Sequence, residues 1–367
     1  MALTLHGTVA DNTVALDRPN SKPLIINGDM NISQRGTVTG ITSPGTYTLD
    51  RIRADIRGGF TVQVAQSTDV PSGYGFAKSL KLDVTTADTS PDANGLLLLG
   101  YHFEGQDVQS LKYGTSSAET VTIAFWIKCN KTGTFQVNLR MVDAYHIGQL
   151  VTISSADTWE KKVITFAGNT SNAMANDNTD ELRIQFFFDA GSDAEGGGVP
   201  SSWAAVNETK SYNGSIDLGD NTANEVLITG LQMEVGSFDA NSLPPFQHES
   251  HGDSLLRCQR YYEKTNPATE TPAQTDGAVG ANWGILNAAD SSTLVLSMVQ
   301  WKVDKRASPT MTFYATDGTS GSLNVNGTNR TVSSSNVGET SLGRISVASG
   351  GTAGNYVAFM YEAKAEL

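Results

Sequence analysis

The sequence predicts an all-β protein: a β-sandwich of two sheets, then a short hinge helix, then a second, smaller β domain. Charged residues make up only 17% of the chain, whereas Gly, Ser, Thr, Asn and Asp are abundant, which is typical of short strands joined by turns. Apolar and polar residues alternate in many runs between residues 60 and 235. This alternation gives way to a helical spacing after Gly252, and strand-like runs resume beyond residue 290.

The clearest strands of the predicted sandwich lie between residues 121 and 141. They are two alternating runs joined by a turn at Lys131-Thr132-Gly133. The apolar positions of the first run are Val121, Ile123, Phe125 and Ile127, and those of the second are Phe135, Val137, Leu139 and Met141. Similar patterns at residues 60–65, 80–84 and 182–188, with a continuous apolar run at 96–99, raise the total to about eight or nine strands, a number that suits two sheets.

The strand that closes the sandwich runs from Val226 to Val235, and its alternation slips by one residue at Gly230. A residue without a Cβ at such a slip predicts a β-bulge or a close approach of the backbone to another group. Two prolines at 244 and 245 then end the pairing, because neither has an N–H to donate. Asp253 is predicted to cap the helix that follows, whose spacing is defined by Leu255, Leu256, Gln259 and Tyr262.

These features divide the chain into four predicted parts. Residues 1–23 are polar and form an N-terminal arm, residues 24–250 form the sandwich, 251–264 the hinge helix, and 265–367 the distal β-sandwich domain. In the distal domain, alternation is clear from Leu294 to Val299 and in the final strand from Asn355 to Glu366.

The charge distribution argues against nucleic-acid binding. Residues 1–250 carry 16 Lys or Arg against 28 Asp or Glu, a net charge of −12, whereas residues 251–367 carry nine against ten, a net charge of −1. An acidic surface repels phosphate backbones.

No apolar run approaches the roughly 18 residues of a membrane span, and the N-terminus lacks the features of a secretory signal. Cys129 and Cys258 are predicted to be free, buried thiols, as in a protein made in a reducing cytoplasm.

Five stretches of the chain carry a family resemblance: ITGLQMEVGS, PPFQHESHGDSLLRCQRYYEK, LIINGDMNISQRG, YTLDRIR and GYHFEGQDVQSLKYGTSSAETVTIAFWIKCNKTG. They resemble segments of bacteriophage structural proteins, the tail fibre and virion proteins. The resemblance covers roughly Leu24 to Tyr262 in order. It implies that the protein is a part of a virion, assembled in the host cytoplasm. Residues 1–23 have too few apolar positions to build a core of their own, which predicts that they dock on other virion proteins.

The order of features also resembles the jelly-roll carbohydrate-binding modules. The shared features are a turn at Asn27-Gly28-Asp29, Trp159 before a core strand, and the closing strand. Such modules commonly hold a calcium ion. Asn31 replaces the Glu of the family's turn motif, and the run Ile228-Thr229-Gly230 replaces the Asp before the closing strand's Leu. Calcium is therefore possible but doubtful, and no cofactor is expected.

The candidate ligand-binding residues are aromatic. Sugars present C–H faces that stack on exposed aromatic rings, with polar groups nearby to fix their orientation. Trp203, Tyr212 and Trp283 are predicted in loops, as is Tyr145 beside His146, and these five residues are the predicted glycan-binding set. Each of them alone fits a loop anchor better than a ligand platform, but together they are the best candidates for a glycan-facing surface. Three further tryptophans, Trp126, Trp159 and Trp301, are predicted in strands and in the core.

Catalysis has no residue pattern behind it. The sequence contains no nucleophile elbow, metalloprotease helix or phosphate loop. Glu104 and Asp107 have a spacing that a glycosidase could use, but 38 acidic residues make some such pair inevitable. His248 and His251 lie close together in what is predicted to be a polar loop.

The sequence therefore favours a non-enzymatic tail fibre or receptor-binding subunit, most plausibly a homotrimer, that recognises a glycan of the host surface. A head fibre or decoration protein attached to the capsid is the alternative within the same family. A polysaccharide-degrading enzyme is a second alternative from another class.

Overall fold

The computed structural model describes residues 23–142, 144–206, 212–266, 281–285, 294–348 and 354–367, apart from the side chains of 294–298. The arm predicted at residues 1–23 lies outside this part of the chain, except for Pro23. Within it, strands dominate and one α-helix is present, so the predicted all-β architecture with a short helix and a second β domain is confirmed. No helix of the described residues is both long and apolar enough to span a bilayer.

Two antiparallel sheets form the first, jelly-roll-like sandwich. The six-stranded sheet runs β1 (Val38–Ile41), β4 (Thr61–Ser67), β5 (Ser79–Thr86), β13 (Glu225–Val235), β7 (Val121–Cys129) and β10 (Glu160–Phe166). The seven-stranded sheet runs β12 (Ala204–Ala205), β9 (Tyr145–Ile153), β8 (Gly133–Met141), β11 (Asp180–Ala190), β6 (Leu96–Glu104), β3 (Ile52–Arg57) and β2 (Thr46–Tyr47). Short 3-10 turns occupy Gly105–Asp107, Gln109–Leu111 and Leu218–Asp220.

The core of the sandwich contains the apolar faces that alternation predicts. Phe125 of β7 meets Phe186 of β11 edge to face, with ring centroids 5.0 Å apart. Phe135 of β8 stacks on Phe188 of β11 at 5.2 Å. Offset and edge-to-face pairs of this kind add specificity to the burial of apolar area.

The slip at Gly230 is a β-bulge, as predicted. The pairing of β13 with β7 shifts register between Thr229 and Gln232, and Gly230 has a φ of +62°. A Cβ at Gly230 would lie 2.6 Å from Cζ of Phe76 and 3.1 Å from Cδ1 of Trp126. Glycine is therefore favoured at position 230 for two reasons: its φ is positive, and the rings of Phe76 and Trp126 leave no room for a Cβ.

The helix α1 spans His251–Gln259, so it begins at the first residue of the predicted hinge helix 251–264 and ends before the predicted end. Ser250, rather than Asp253, is its N-cap: the Ser250 hydroxyl accepts from the Asp253 N–H at 3.2 Å and donates to Asp253 Oδ2 at 2.7 Å. The segment predicted as helix to residue 264 instead becomes β14 (Tyr262–Lys264), which pairs with residues 362–364. A partner strand a hundred residues away overrides the local helical spacing.

The second β domain is built around β21 (Tyr356–Lys364). Its main sheet runs β14, β21, β18 (Ser322–Val325), β19 (Thr328–Val337), β20 (Ser341–Val347) and β16 (Leu294–Gln300), while β15 (Asn282–Ile285) and β17 (Thr310–Tyr314) also pair with β21. Its core includes Trp301, Phe313, Leu323, Val357 and Phe359, so Trp301 is buried as predicted.

Polar and aromatic contacts join the two β bodies. Arg260, just after α1, donates to both carboxylate oxygens of Glu104 in β6 at 2.7 Å. The Arg51 guanidinium lies 3.5 Å from the ring centroid of Tyr261, and Arg306 donates to the Asn178 carbonyl at 2.7 Å.

Both cysteines are free and buried, as predicted. The predicted domain boundaries themselves stay predictions.

Candidate functional site

The outer face of the six-stranded sheet carries aromatic side chains. In β7, the alternation that turns Ile123 and Phe125 inward turns Trp126 and Lys128 outward. Trp126 is half-buried and lies opposite Lys161 of β10. The prediction that Trp126 belongs to the core is therefore wrong, because its position has the opposite parity to the core residues of the same strand.

Tyr74 covers one side of Trp126. The two ring centroids are 4.3 Å apart with an angle of 49° between the planes, and Tyr74 is 56% exposed. The bulge at Gly230 makes room beneath this pair, since a side chain there would press against Trp126. The result is a tilted pair of rings open to solvent on one side.

Trp159 directly precedes β10, two residues before Lys161, which lies opposite Trp126, and it is half-buried. Its Nε1 donates to Asp69 Oδ1 at 2.9 Å, and Asp69 Oδ2 accepts from Lys128 Nζ at 2.7 Å. Slight burial opposes ionisation of Asp69, but the hydrogen bonds from Lys128 and Trp159 hold the pKa of its carboxyl below its usual range. Trp159, too, lies outside the core in which it was predicted. Tyr74, Trp126 and Trp159, with Asp69 and Lys128, are called the aromatic surface below.

A second aromatic cluster adjoins Trp126 across Gly230. Phe76 contacts Phe246 with ring centroids 5.1 Å apart, and exposed His248 lies 5.3 Å from Phe76 and 4.9 Å from Phe246. This cluster draws the segment after β13 against the sheet. The polar loop predicted around His248 thus packs on the same face of the sandwich as Trp126.

The structure brings three of the five predicted binding residues to one edge of the seven-stranded sheet. The strand β12, which follows Trp203 directly, pairs with Tyr145 and His146 of β9. However, His146 is buried, and Trp203 packs edge to face on Tyr113 at 5.6 Å and donates from Nε1 to the Ala167 carbonyl at 2.7 Å. Trp203 therefore acts as the loop anchor, whereas Tyr145 is half-buried.

Tyr212 does not lie in an exposed loop position. It is 1% exposed and stacks on Phe187 of β11 with ring centroids 6.3 Å apart. Burial raises the pKa of its phenol. Although the surrounding sequence is polar, this residue covers the apolar part of the outer face formed by Leu98 and Phe187, so its ring offers no face to a ligand.

Trp283 is exposed as expected, but it lies in strand β15 rather than in a loop. It is 62% exposed and contacts Tyr356, which is 42% exposed, with ring centroids 5.7 Å apart. Ile285, 65% exposed, is on the same strand. These residues form a smaller apolar patch on the second β domain, separate from the aromatic surface.

Glu104, one of the two carboxylates considered for catalysis, has a structural role. The Glu104 side chain is fully buried, and although burial opposes its ionisation, the hydrogen bonds from Arg260 lower its pKa. Burial and the neighbouring Glu104 charge raise the pKa of Asp107. Glu104 therefore holds the two β bodies together through Arg260.

A buried histidine also lies on the seven-stranded sheet. His102 Nδ1 is 2.7 Å from Asp180 Oδ2, which also accepts from Arg183 Nε at 2.8 Å. Burial lowers the pKa of His102, so its imidazole is neutral near pH 7 and Nδ1 donates to Asp180. Among the residues whose positions are described, no group of three or more His, Cys, Asp or Glu side chains could hold a metal ion.

No protein-family model matches this chain, and no curated protein matches its sequence. Among solved structures, 58% of the chain aligns with the enzymatically active domain of tailspike protein 4 of bacteriophage CBA120, at 14% identity and a TM-score of 0.31. The same share aligns with a putative sugar-binding protein of Bacteroides thetaiotaomicron, at 13% identity and a TM-score of 0.34. A family 11 carbohydrate-binding module of a Clostridium thermocellum cellulase aligns with 55% of the chain at 12% identity and a TM-score of 0.28.

The aligned part spans 21% of the tailspike chain, 100% of the Bacteroides chain and 97% of the module. All three TM-scores are below 0.5, so these likenesses carry no argument about function. The fold class rests on the strands and sheets described above.

Proposed function

We propose that this protein binds glycans through the aromatic surface of its first sandwich. The observation that carries the proposal is that Tyr74, Trp126 and Trp159 lie outside the core, on one sheet face. Trp126 lies in a strand and Trp159 directly precedes one, yet neither belongs to the core. A contiguous group of apolar rings at the surface, unlike a single exposed ring, is a mark of a binding site. Pyranose rings fit such surfaces because their C–H faces are apolar and their hydroxyls can reach polar neighbours.

The polar groups between the rings suit this ligand. Asp69 is ionised and held between Lys128 and Trp159, so the orientation of Trp159 is fixed before a ligand arrives. Lys128 and Asp69 also offer a donor and an acceptor beside the rings. Each stacking contact is expected to contribute about 1–2 kcal/mol, roughly a 5- to 30-fold change in affinity.

The proposal extends to a biological setting that the sequence motifs suggest. The protein would be a virion subunit of a bacteriophage, a tail fibre or receptor-binding protein that recognises a host-surface glycan without cleaving it. Residues 1–23 would attach it to other virion proteins, and a homotrimer would repeat a weak site three times, which increases avidity without any new contact. A head fibre or decoration protein is the alternative placement.

Binding is tested with a panel of purified bacterial surface polysaccharides, immobilised for surface plasmon resonance. The wild-type chain is compared with Tyr74→Ala and Trp159→Ala, and Tyr356→Ala serves as the matched control, since it removes an exposed tyrosine from the second domain. We expect the first two variants to lose about 5- to 30-fold in affinity and the control to bind as wild type. Equal affinity in all four proteins, or no binding to any polysaccharide, would contradict the proposal.

Three further measurements test the setting. Immunogold labelling of virions separates a tail position from a head position. Light scattering of the purified protein distinguishes a trimer from a monomer. Release of reducing sugars from a bound polysaccharide would show that the protein is an enzyme after all.

A further inference from the structure

A cleft of about 610 Å³ lies where the two β bodies meet. One wall comes from the first sandwich, including Arg35 and the strand β2 with Tyr47. The other wall comes from β14, β17 and β21 of the second domain, including Tyr262, Thr310 and Lys364. Its size falls within the range of small-ligand sites, roughly 300–1,000 Å³, and such sites are frequent at domain interfaces.

The carboxylates in the walls already have partners. Glu366 Oε1 accepts from Arg35 Nη2 at 2.7 Å, and Glu366 Oε2 accepts from Arg51 Nη1 at 3.3 Å. Glu362 Oε1 accepts from the Tyr262 hydroxyl at 2.7 Å, and its Oε2 accepts from Lys364 Nζ at 2.9 Å. The two glutamates that line the cleft are thus occupied by hydrogen bonds from protein donors, and the Tyr47 hydroxyl donates to the Leu367 carbonyl oxygen.

Donors remain in the same walls. The Arg35 guanidinium is fixed over the Tyr262 ring, 3.7 Å from its centroid, and its Nη1 is buried without a hydrogen-bond partner. Lys364 is 44% exposed and uses one of its three N–H groups on Glu362. The unpartnered Nη1 of Arg35 and the remaining N–H groups of Lys364 favour a ligand with a carboxylate, and an arginine stacked on a tyrosine is a pre-organised partner for one.

We propose that this cleft binds an acidic sugar, a monosaccharide or short saccharide that carries a carboxylate. Arg35 and Lys364 would face the carboxylate, whereas the hydroxyls of Thr46 and Thr310 line the same cleft and can meet the sugar hydroxyls. The site is independent of the aromatic surface, because none of its lining residues belongs to that surface. Either site can therefore fail while the other stands.

The test uses the full chain and two acidic probes, D-glucuronate and N-acetylneuraminate, with D-glucose as the neutral comparison, in saturation-transfer NMR titrations. Lys364→Gln removes the exposed ammonium and leaves the Arg35–Glu366 pair intact. Lys112→Gln is the matched control, since Lys112 is a surface lysine, 54% exposed, in a 2.8 Å pair with Glu119 of the first sandwich. Thr310→Trp fills the cleft from an exposed position.

We expect at least one acid to bind, Lys364→Gln to weaken it about fivefold, Thr310→Trp to abolish binding, and Lys112→Gln to change nothing. Tyr74→Ala should also leave this binding unchanged. Failure of both acids to bind, equal binding of glucose, or full binding by Thr310→Trp would each overturn the proposal. Thermal unfolding of the variants shows whether any loss arises from misfolding.

Discussion

The buried ion pair between Lys305 and Glu263 is expected to be essential for the second β domain. Lys305 Nζ lies 2.6 Å from Glu263 Oε2, and the two side chains are 0% and 1% exposed. Lys305 also donates to the Gln259 carbonyl at 2.5 Å, at the end of α1, and Glu263 Oε1 accepts from the Tyr361 hydroxyl at 3.0 Å. The pair therefore connects the helix, β14 and β21.

Glu263→Ala should lower the free energy of unfolding by about 3–5 kcal/mol, because it leaves the Lys305 ammonium buried without a counter-charge. The Tyr361 hydroxyl also loses its acceptor, which adds to the cost. The double variant Glu263→Leu with Lys305→Met should recover most of this loss, since two apolar side chains need no partners.

The loss should also depend on pH. Burial lowers the pKa of Lys305, so the unfolded chain binds more protons than the folded chain at pH values between that lowered pKa and the ordinary lysine pKa. The contribution of Lys305 to the free energy of unfolding therefore rises with pH in that window. The deficit of Glu263→Ala is expected to be smaller at pH 9.5 than at pH 6.

Urea unfolding followed by tryptophan fluorescence measures these differences, and Trp301 reports locally because Lys305 Nζ lies 5.4 Å from its ring centroid. Glu119→Ala is the control: it breaks the exposed pair with Lys112 and should cost no more than about 1 kcal/mol. A cost below about 1 kcal/mol for Glu263→Ala, or a double variant no more stable than the single one, would refute the reasoning.

Three further changes test the fold. Gly230→Ala should destabilise the first sandwich by about 1–3 kcal/mol in urea unfolding, because of its positive φ and the 2.6 Å approach to Phe76; an unchanged midpoint would show that the bulge relaxes freely. Burial raises the pKa of Asp189 to about 7, above its value of about 4 in the unfolded chain. Its contribution is therefore full below pH 4 and is lost as pH rises through 7, so the stability of the wild type relative to Asp189→Asn should fall between pH 5 and pH 8. Ser250→Ala should lower the free energy of unfolding by about 1 kcal/mol through loss of the α1 cap, and an unchanged urea midpoint would contradict this.

The sequence alone determined the strands, the sandwich and the bulge. Alternation in β7 and β8 and the slip at Gly230 are properties of consecutive residues, and the pleat converts them directly into faces of a sheet. The same rule assigns Trp126 to the outer face, because it stands at the opposite parity to Phe125. That signal was present in the sequence, although a tryptophan in a strand suggested a core residue.

Only the tertiary structure decided which side chains meet. Tyr74 reaches Trp126 from a segment 52 positions earlier in the chain, and Tyr212 is buried because its loop folds over Leu98 and Phe187. Tyr262 leaves the helical pattern because it pairs with Lys364. These outcomes depend on strand register and on which face a distant segment covers, and local periodicity contains no information about either.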